Sequence, residues 1–203
     1  MTCKIITISQ GKGGAAKTTT AVNLAGALKE LGYKVALCDW DIEKPDALSW
    51  AAQGDSIDWV TKIDKEDPVK NIDKLKEGYD VLIFDTPPNY ESNAFKAVMA
   101  SDYVIIPSSN NFLEQDNTKN AVSLPTLSGK PFKILMSKVK KGTKEGREML
   151  EKVISKDISF DAVITERNVV AQSPRYGAWV GEYAKNSDSH KQFIALAKEV
   201  EVW

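Results

Sequence analysis

The sequence predicts an α/β fold of three layers, with a mostly parallel, twisted sheet held between helices. Three observations carry that reading. Short apolar segments alternate with segments of helical period along most of the chain, the pattern of strands joined by helical crossovers. The strand segments are apolar almost throughout, as in Ile5-Ile6-Thr7-Ile8 and Val81-Leu82-Ile83-Phe84, which suits a sheet buried on both faces. Acidic residues fall at the carboxyl ends of these segments, the edge where open α/β sheets bind ligands.

Taken in order, strands are expected at Lys4 to Ser9, Lys34 to Asp39, Asp58 to Ile63, Asp80 to Asp85, Tyr103 to Pro107, Phe132 to Ser137 and Ala162 to Ile164. Helices are expected at Lys17 to Leu31, Pro68 to Glu77, Ser92 to Met99, Thr143 to Ser155 and Ser189 to Val200, with Gly32 and Gly78 as stop signals. The 203 residues contain no internal repeat, low-complexity tract or linker, so one domain over residues 1–203 is expected, long enough for a three-layer core.

A net charge of −1 gives no global nucleic-acid signal, so any DNA contact has to come from a local patch. Cys3 and Cys38, both expected in buried strands, form no C-x-x-C pair, which fits a reducing compartment and gives no support to an iron–sulfur or zinc site. No stretch approaches the roughly 20 apolar residues of a membrane span, and Met1 to Lys4 leads into a strand, not a signal peptide. A cytoplasmic location without membrane attachment is expected. The lone His190 is expected to be an exposed residue at the start of the last helix.

Residues Gly11, Lys12, Gly13, Gly14, Ala15, Ala16, Lys17, Thr18 and Thr19 lie between the first strand and the first helix. A strand feeding a glycine-rich turn and a helix start gathers backbone N–H groups and the positive end of the helix dipole around one point, which favours a polyphosphate. In G-x-x-x-x-G-K-[ST], the lysine lies along the β- and γ-phosphates and the hydroxyl ligates Mg²⁺; here these are Lys17 and Thr18. Ala16 stands where the last glycine is usual. Val81 to Asp85 is an apolar strand ending in a carboxylate that can hold Mg²⁺ directly or through water. Asp39 and Asp41 end the second strand at i and i+2, which in an extended segment face the same side.

With Lys12 placed before Gly13-Gly14, the loop reads K-G-G-x-x-K-[ST], and Asp85-Thr86-Pro87-Pro88 reads D-x-P-P. Together these resemble the ParA/MinD superfamily of deviant Walker A ATPases, and in particular the small ParA type. The resemblance implies a P-loop NTPase fold, ATP and Mg²⁺ as cofactors, and ATP hydrolysis to ADP and phosphate. It also implies a nucleotide-sandwich homodimer in which Lys12 reaches the partner's phosphates. The family pattern D-x-D-P-Q implies that Asp39 positions the attacking water and that Asp41 supports the metal through its hydration shell; here Ile42-Glu43 replace Pro-Gln, and Trp40 is bulky for the middle position. Ile105-Ile106-Pro107 with the polar loop after it, Ile134 to Val139, and Arg167-Asn168-Val169 extend the resemblance over most of the chain.

Relatives of this type bind DNA without sequence preference when ATP-bound, and an adaptor stimulates their hydrolysis to segregate or position a cargo on the nucleoid. Candidates for that contact are Lys138, Lys140, Lys141, Lys144, Arg147, Lys152 and Lys156, with Arg175, Lys185, Lys191 and Lys198. A solvated face balanced by Glu145, Glu148, Glu151 and Asp157 accounts for the first group equally well. The absence of paired loop cysteines argues against a redox ATPase like the nitrogenase iron protein. A metabolic ligase of the dethiobiotin-synthetase or cobyrinate-amidating type remains the alternative.

Overall fold

A computed structural model describes residues 2–64, 66–67, 69–88, 92–109, 115–140, 142–143 and 158–203, with residues 115–120 as backbone only. The strands are β1 (Lys4–Ile8), β2 (Val35–Asp39), β3 (Val60–Lys62), β4 (Val81–Asp85), β5 (Tyr103–Ser108), β6 (Phe132–Val139) and β7 (Ser159–Thr165). They form one sheet in the order β3-β2-β4-β1-β5-β6-β7. Every pairing within it is parallel, which sharpens the expected mostly parallel sheet.

The helices are α1 (Lys17–Glu30), α2 (Asp46–Ala51), α3 (Ile72–Gly78), α4 (Ser92–Ala100), α5 (Gln115–Leu127), α6 (Asn168–Gln172), α7 (Val180–Tyr183) and α8 (Asp188–Glu201), with a 3₁₀ turn at Ser173–Tyr176. Neighbouring strand residues point to opposite faces, and the core divides accordingly. Ile6, Ile8, Leu37, Ile83 and Ile105 pack with Val22, Leu24 and Leu28 of α1 and Phe193 and Leu196 of α8. Their neighbours Ile5, Ala36, Leu82 and Phe84 pack on the other face with Ile72 of α3 and Ala97 of α4. A third cluster on Val104, Ile106, Ile134 and Met136 is closed by Val98 of α4 and Ala121 of α5. Continuous apolar strands are thus explained, because both faces are covered.

All seven expected strands exist, with ends shifted by a few residues. Cys38 is buried in β2, whereas Cys3 precedes β1 and is only half-buried, so the expectation for Cys3 is corrected. The second expected helix starts at Ile72 instead of Pro68, and α2, α5, α6 and α7 were not foreseen. In α5 the polar run Gln115 to Lys119 and the internal Pro125 hide a helix that propensity alone would not support. The expected helix from Thr143 to Ser155 lies almost wholly outside the described residues.

Register sets the functional edge. Ile8 of β1 and Asp39 of β2 both lie level with Asp85 of β4, so the three central strands end on one line. The chain leaves β1 for β2 on one side of it, whereas after β4 it crosses to β5 on the other side, and this change of direction opens a crevice at the end of β1.

Candidate functional site

The loop after β1 occupies that crevice. Gly14 has φ +72, a left-handed conformation that glycine adopts without strain. Ala16 adopts the same region, with φ 70 and ψ 27, and is the N-cap of α1; its side chain makes no capping hydrogen bond. Its carbonyl accepts the Thr20 N–H at 2.9 Å, the first bond of the helix. The remaining first-turn N–H groups have no side-chain cap, the arrangement in which a helix end receives an anion. A cavity of about 270 Å³ opens there, lined by the loop from Gly13 to Thr19 and by Asp41, Pro88 and Lys138 among others. Lys12 is exposed at the entry of the loop.

Lys17 is buried, and burial lowers its pKa against the opposing charges of Asp85, Asp41 and Asp46. Asp85 is buried as well. Desolvation holds its carboxyl well above the usual carboxylate range, although a hydrogen bond from the Thr18 hydroxyl and the nearby Lys17 pull the other way. Its Oδ1 has no hydrogen-bond partner. A buried orphan carboxylate oxygen beside a hydroxyl is a donor set that fits a hard divalent cation, which takes oxygen ligands. Thr18 and Asp85 fit that role, with Asp41 on the cavity wall. Among the described residues no group of three or more His, Cys, Asp or Glu converges, so a cation here would complete its shell from phosphate and water.

Asp39 is tied down more than its expected role suggests. Strand β2 ends at this residue, so Asp39 and Asp41 are not two positions of one extended segment. Its Oδ1 accepts the Asp41 N–H at 3.1 Å, and its Oδ2 accepts the N–H groups of Ala47 and Leu48 at 3.0 and 3.1 Å. The carboxylate therefore caps α2 from a distance. Burial still pushes its pKa up to about 6, outweighing the three hydrogen bonds. Asp41 turns the chain, accepting the Lys44 N–H at 2.9 Å. Thr86 ties the end of β4 to β1 by donating to the Ile8 carbonyl at 2.9 Å.

Several positioning residues escaped sequence reasoning. Asn23 accepts the Val180 N–H at 2.7 Å and donates to the Thr19 carbonyl at 2.8 Å, which fastens the first turns of α1 to the start of α7. Trp50 of α2 donates to the Ala178 carbonyl at 3.0 Å. Gly177, at φ +56, runs so close to Gly54 that an added Cβ would meet the Gly54 nitrogen at 2.1 Å. A second cavity of about 490 Å³ adjoins the loop between Thr18, Thr19, Trp50 and Arg175. Asn23 sits on a helix face that periodicity marks as core, so only its partner could have revealed it.

The basic candidates separate. Lys138 donates to the Gly14 carbonyl at 2.8 Å, and Lys140 pairs with Glu166 at 3.7 Å, so these two do not form a common free patch. Lys141, Lys144, Arg147, Lys152 and Lys156 lie outside the described residues. Arg175 lines the second cavity, and Lys185, Lys191 and Lys198 are exposed at or near α8. His190 corrects an expectation, since it is only 5% exposed. Its Nδ1 accepts the Asn186 N–H at 3.0 Å, so Nε2 carries the hydrogen directed at Glu30, 3.1 Å away. It stands edge-on to Trp179 and bolts α8 to α1. No helix among the described residues is long and apolar enough to cross a membrane.

Comparison with known proteins identifies the wider group. Residues 6–180 match the CobQ/CobB/MinD/ParA nucleotide binding domain. The chain is 36% identical over 109 residues to the maintenance of carboxysome distribution protein A of Gloeobacter kilaueensis, spanning 51% of this chain and 48% of that protein. It is 24% identical over 236 residues to the chromosome-partitioning ATPase Soj of Thermus thermophilus, spanning 96% and 94%. Its fold superimposes with a TM-score of 0.81 on the septum site-determining protein MinD of Pyrococcus horikoshii, solved with Mg-ADP, at 24% identity over 98% of this chain and 96% of that one.

Proposed function

Since the chain belongs to the CobQ/CobB/MinD/ParA nucleotide-binding domain family, we propose that it is a magnesium-dependent ATPase of the partition and positioning kind. ATP pairs two copies, the pair binds DNA without sequence preference, and hydrolysis resets it. The observation that carries the proposal is the cavity at the end of β1. There the uncapped start of α1 and the buried Lys17 meet Thr18, whose hydroxyl is hydrogen-bonded to Asp85, a buried carboxyl with one orphan oxygen. A polyphosphate with its cation satisfies all of these groups together.

In this reading Gly11 to Thr19 cradle the phosphates and Lys17 offsets charge that develops on them. Mg²⁺ would be held by Thr18 and Asp85, with Asp41 supporting it through water, and would supply positive charge that offsets the charge of the phosphates. Asp39 orients the attacking water through Oδ1, which holds one N–H against the two on Oδ2. Lys12 serves the partner's nucleotide, for which its exposed position is suited. An adaptor protein that stimulates hydrolysis is the expected partner, in a cytoplasmic, nucleoid-associated setting. The full-length match to a chromosome-partitioning ATPase favours this reading over a metabolic ligase.

Two weak basic surfaces, which include Lys185, Lys191 and Lys198, become one bivalent surface when ATP joins the subunits. Anisotropy titrations on random-sequence DNA should therefore show binding with Mg-ATP alone, falling steeply with salt. Lys12→Ala should lose both the dimer in light scattering and the DNA binding. A monomer at saturating ATP, or equal DNA binding with ATP, with ADP and without nucleotide, would refute the proposal.

A further inference from the structure

We propose that Lys138 is a phosphate-binding residue of the nucleotide cavity, supplied in cis from the end of β6; the inference rests on the nucleotide reading above. Strand β6 loses regular register with β7 between Met136 and Val139. Lys138 sits inside that irregularity with φ 54, a left-handed conformation that L side chains avoid. Irregularities of this kind beside a site commonly serve to re-aim one side chain. Here Ser137 and Val139 stay buried while Lys138 turns outward, over the carboxyl edge of the sheet.

The side chain then crosses to the loop after β1. Its Nζ donates to the Gly14 carbonyl at 2.8 Å and lines the same cavity as Lys17, Thr18 and Asp41. An ammonium carries three donors, and the loop carbonyl uses one. Among the described residues Lys138 forms no ion pair, whereas Lys140, two positions on, is paired with Glu166. A cation brought to a phosphate loop by a strained backbone, with donors to spare and no carboxylate among the described residues to satisfy it, is placed for an anionic ligand. Each subunit would then hold its nucleotide with two lysines of its own, Lys17 and Lys138, before Lys12 of a second copy arrives. Lys138 is thereby removed from the DNA-binding candidates.

The competing role is a strut that only steadies the loop through the Gly14 carbonyl. Charge separates the two, because glutamine can still donate to that carbonyl and arginine keeps the charge. Calorimetry with Mg-ADP and with a slowly hydrolysed Mg-ATP analogue is run on the full chain, on Lys138→Gln, on Lys138→Arg and on Lys17→Ala. Lys138→Gln should bind at least about tenfold more weakly, with the thermal midpoint of the nucleotide-free protein unchanged, and Lys138→Arg should recover most of the loss. Parent-level affinity in Lys138→Gln, beside a binding parent and a crippled Lys17→Ala, overturns this inference alone. A parent chain that binds neither nucleotide overturns the nucleotide reading together with it.

Discussion

Replacing Ala16 with glycine should stabilise the protein, although the substitution removes a side chain from the start of a helix. Ala16 holds φ 70 and ψ 27, and a left-handed backbone costs an L residue roughly 1–2 kcal/mol. Glycine escapes that cost but loses about 0.5–1 kcal/mol more backbone entropy on folding than alanine. The Ala16 methyl is partly exposed and absent from the buried core, so little packing is lost. The balance is a gain of about 0.5–1 kcal/mol, which for a chain of this size raises the thermal midpoint by roughly 1–4 °C. Calorimetric melts of Ala16→Gly and the parent, without nucleotide, measure it. The increment should persist in Mg-ADP, because the bound loop needs the same left-handed entry to α1. A lower midpoint for Ala16→Gly would mean that Ala16 is not left-handed in solution, and the loop geometry on which the cavity depends would fall with it.

If Asp39 orients the attacking water as proposed, Asp39→Ala should still bind nucleotide but turn over far more slowly, since a contact made mainly in the transition state would be lost. It should also cost about 1–3 kcal/mol in urea unfolding, because Ala47 and Leu48 lose their capping acceptor. The folded pKa of Asp39, about 6, stands above the ordinary unfolded value near 3.9. The folded state therefore binds that proton more tightly, and the stability contributed by the group fades as pH rises through 6. The cost of Asp39→Ala should be larger at pH 4.5 than at pH 8, and the opposite trend would refute burial as the dominant influence on this carboxyl. Gly177→Ala should destabilise by about 2–4 kcal/mol, combining a left-handed alanine with a Cβ pressed on Gly54; denaturation within 0.5 kcal/mol of the parent would show that the two backbones are not in contact.

The seven strands were legible because a parallel sheet covered on both faces needs unbroken apolar segments, and Ile5 to Ile8, Val35 to Cys38 and Val81 to Phe84 advertise that need directly. The loop from Gly11 to Thr19 could be singled out for a related reason, since the backbone N–H groups it would offer a phosphate belong to consecutive residues. Asp85 could be placed at a strand end in the same way. Partnerships between distant segments were not legible. Asp39 reads as a free strand-end carboxylate, and only the fold brings the start of α2 back onto it. His190 reads as a solvated helix start, and only the docking of α8 on α1 buries it against Glu30 and Trp179. Lys138 reads as one charge in a basic run until the break in β6 aims it at Gly14, 124 residues away in sequence. Sequence fixes what each segment must bury and how its own backbone can turn, because those are local free energies. Which polar group meets which across the sheet depends on register and crossover, and those are set only when the whole core packs.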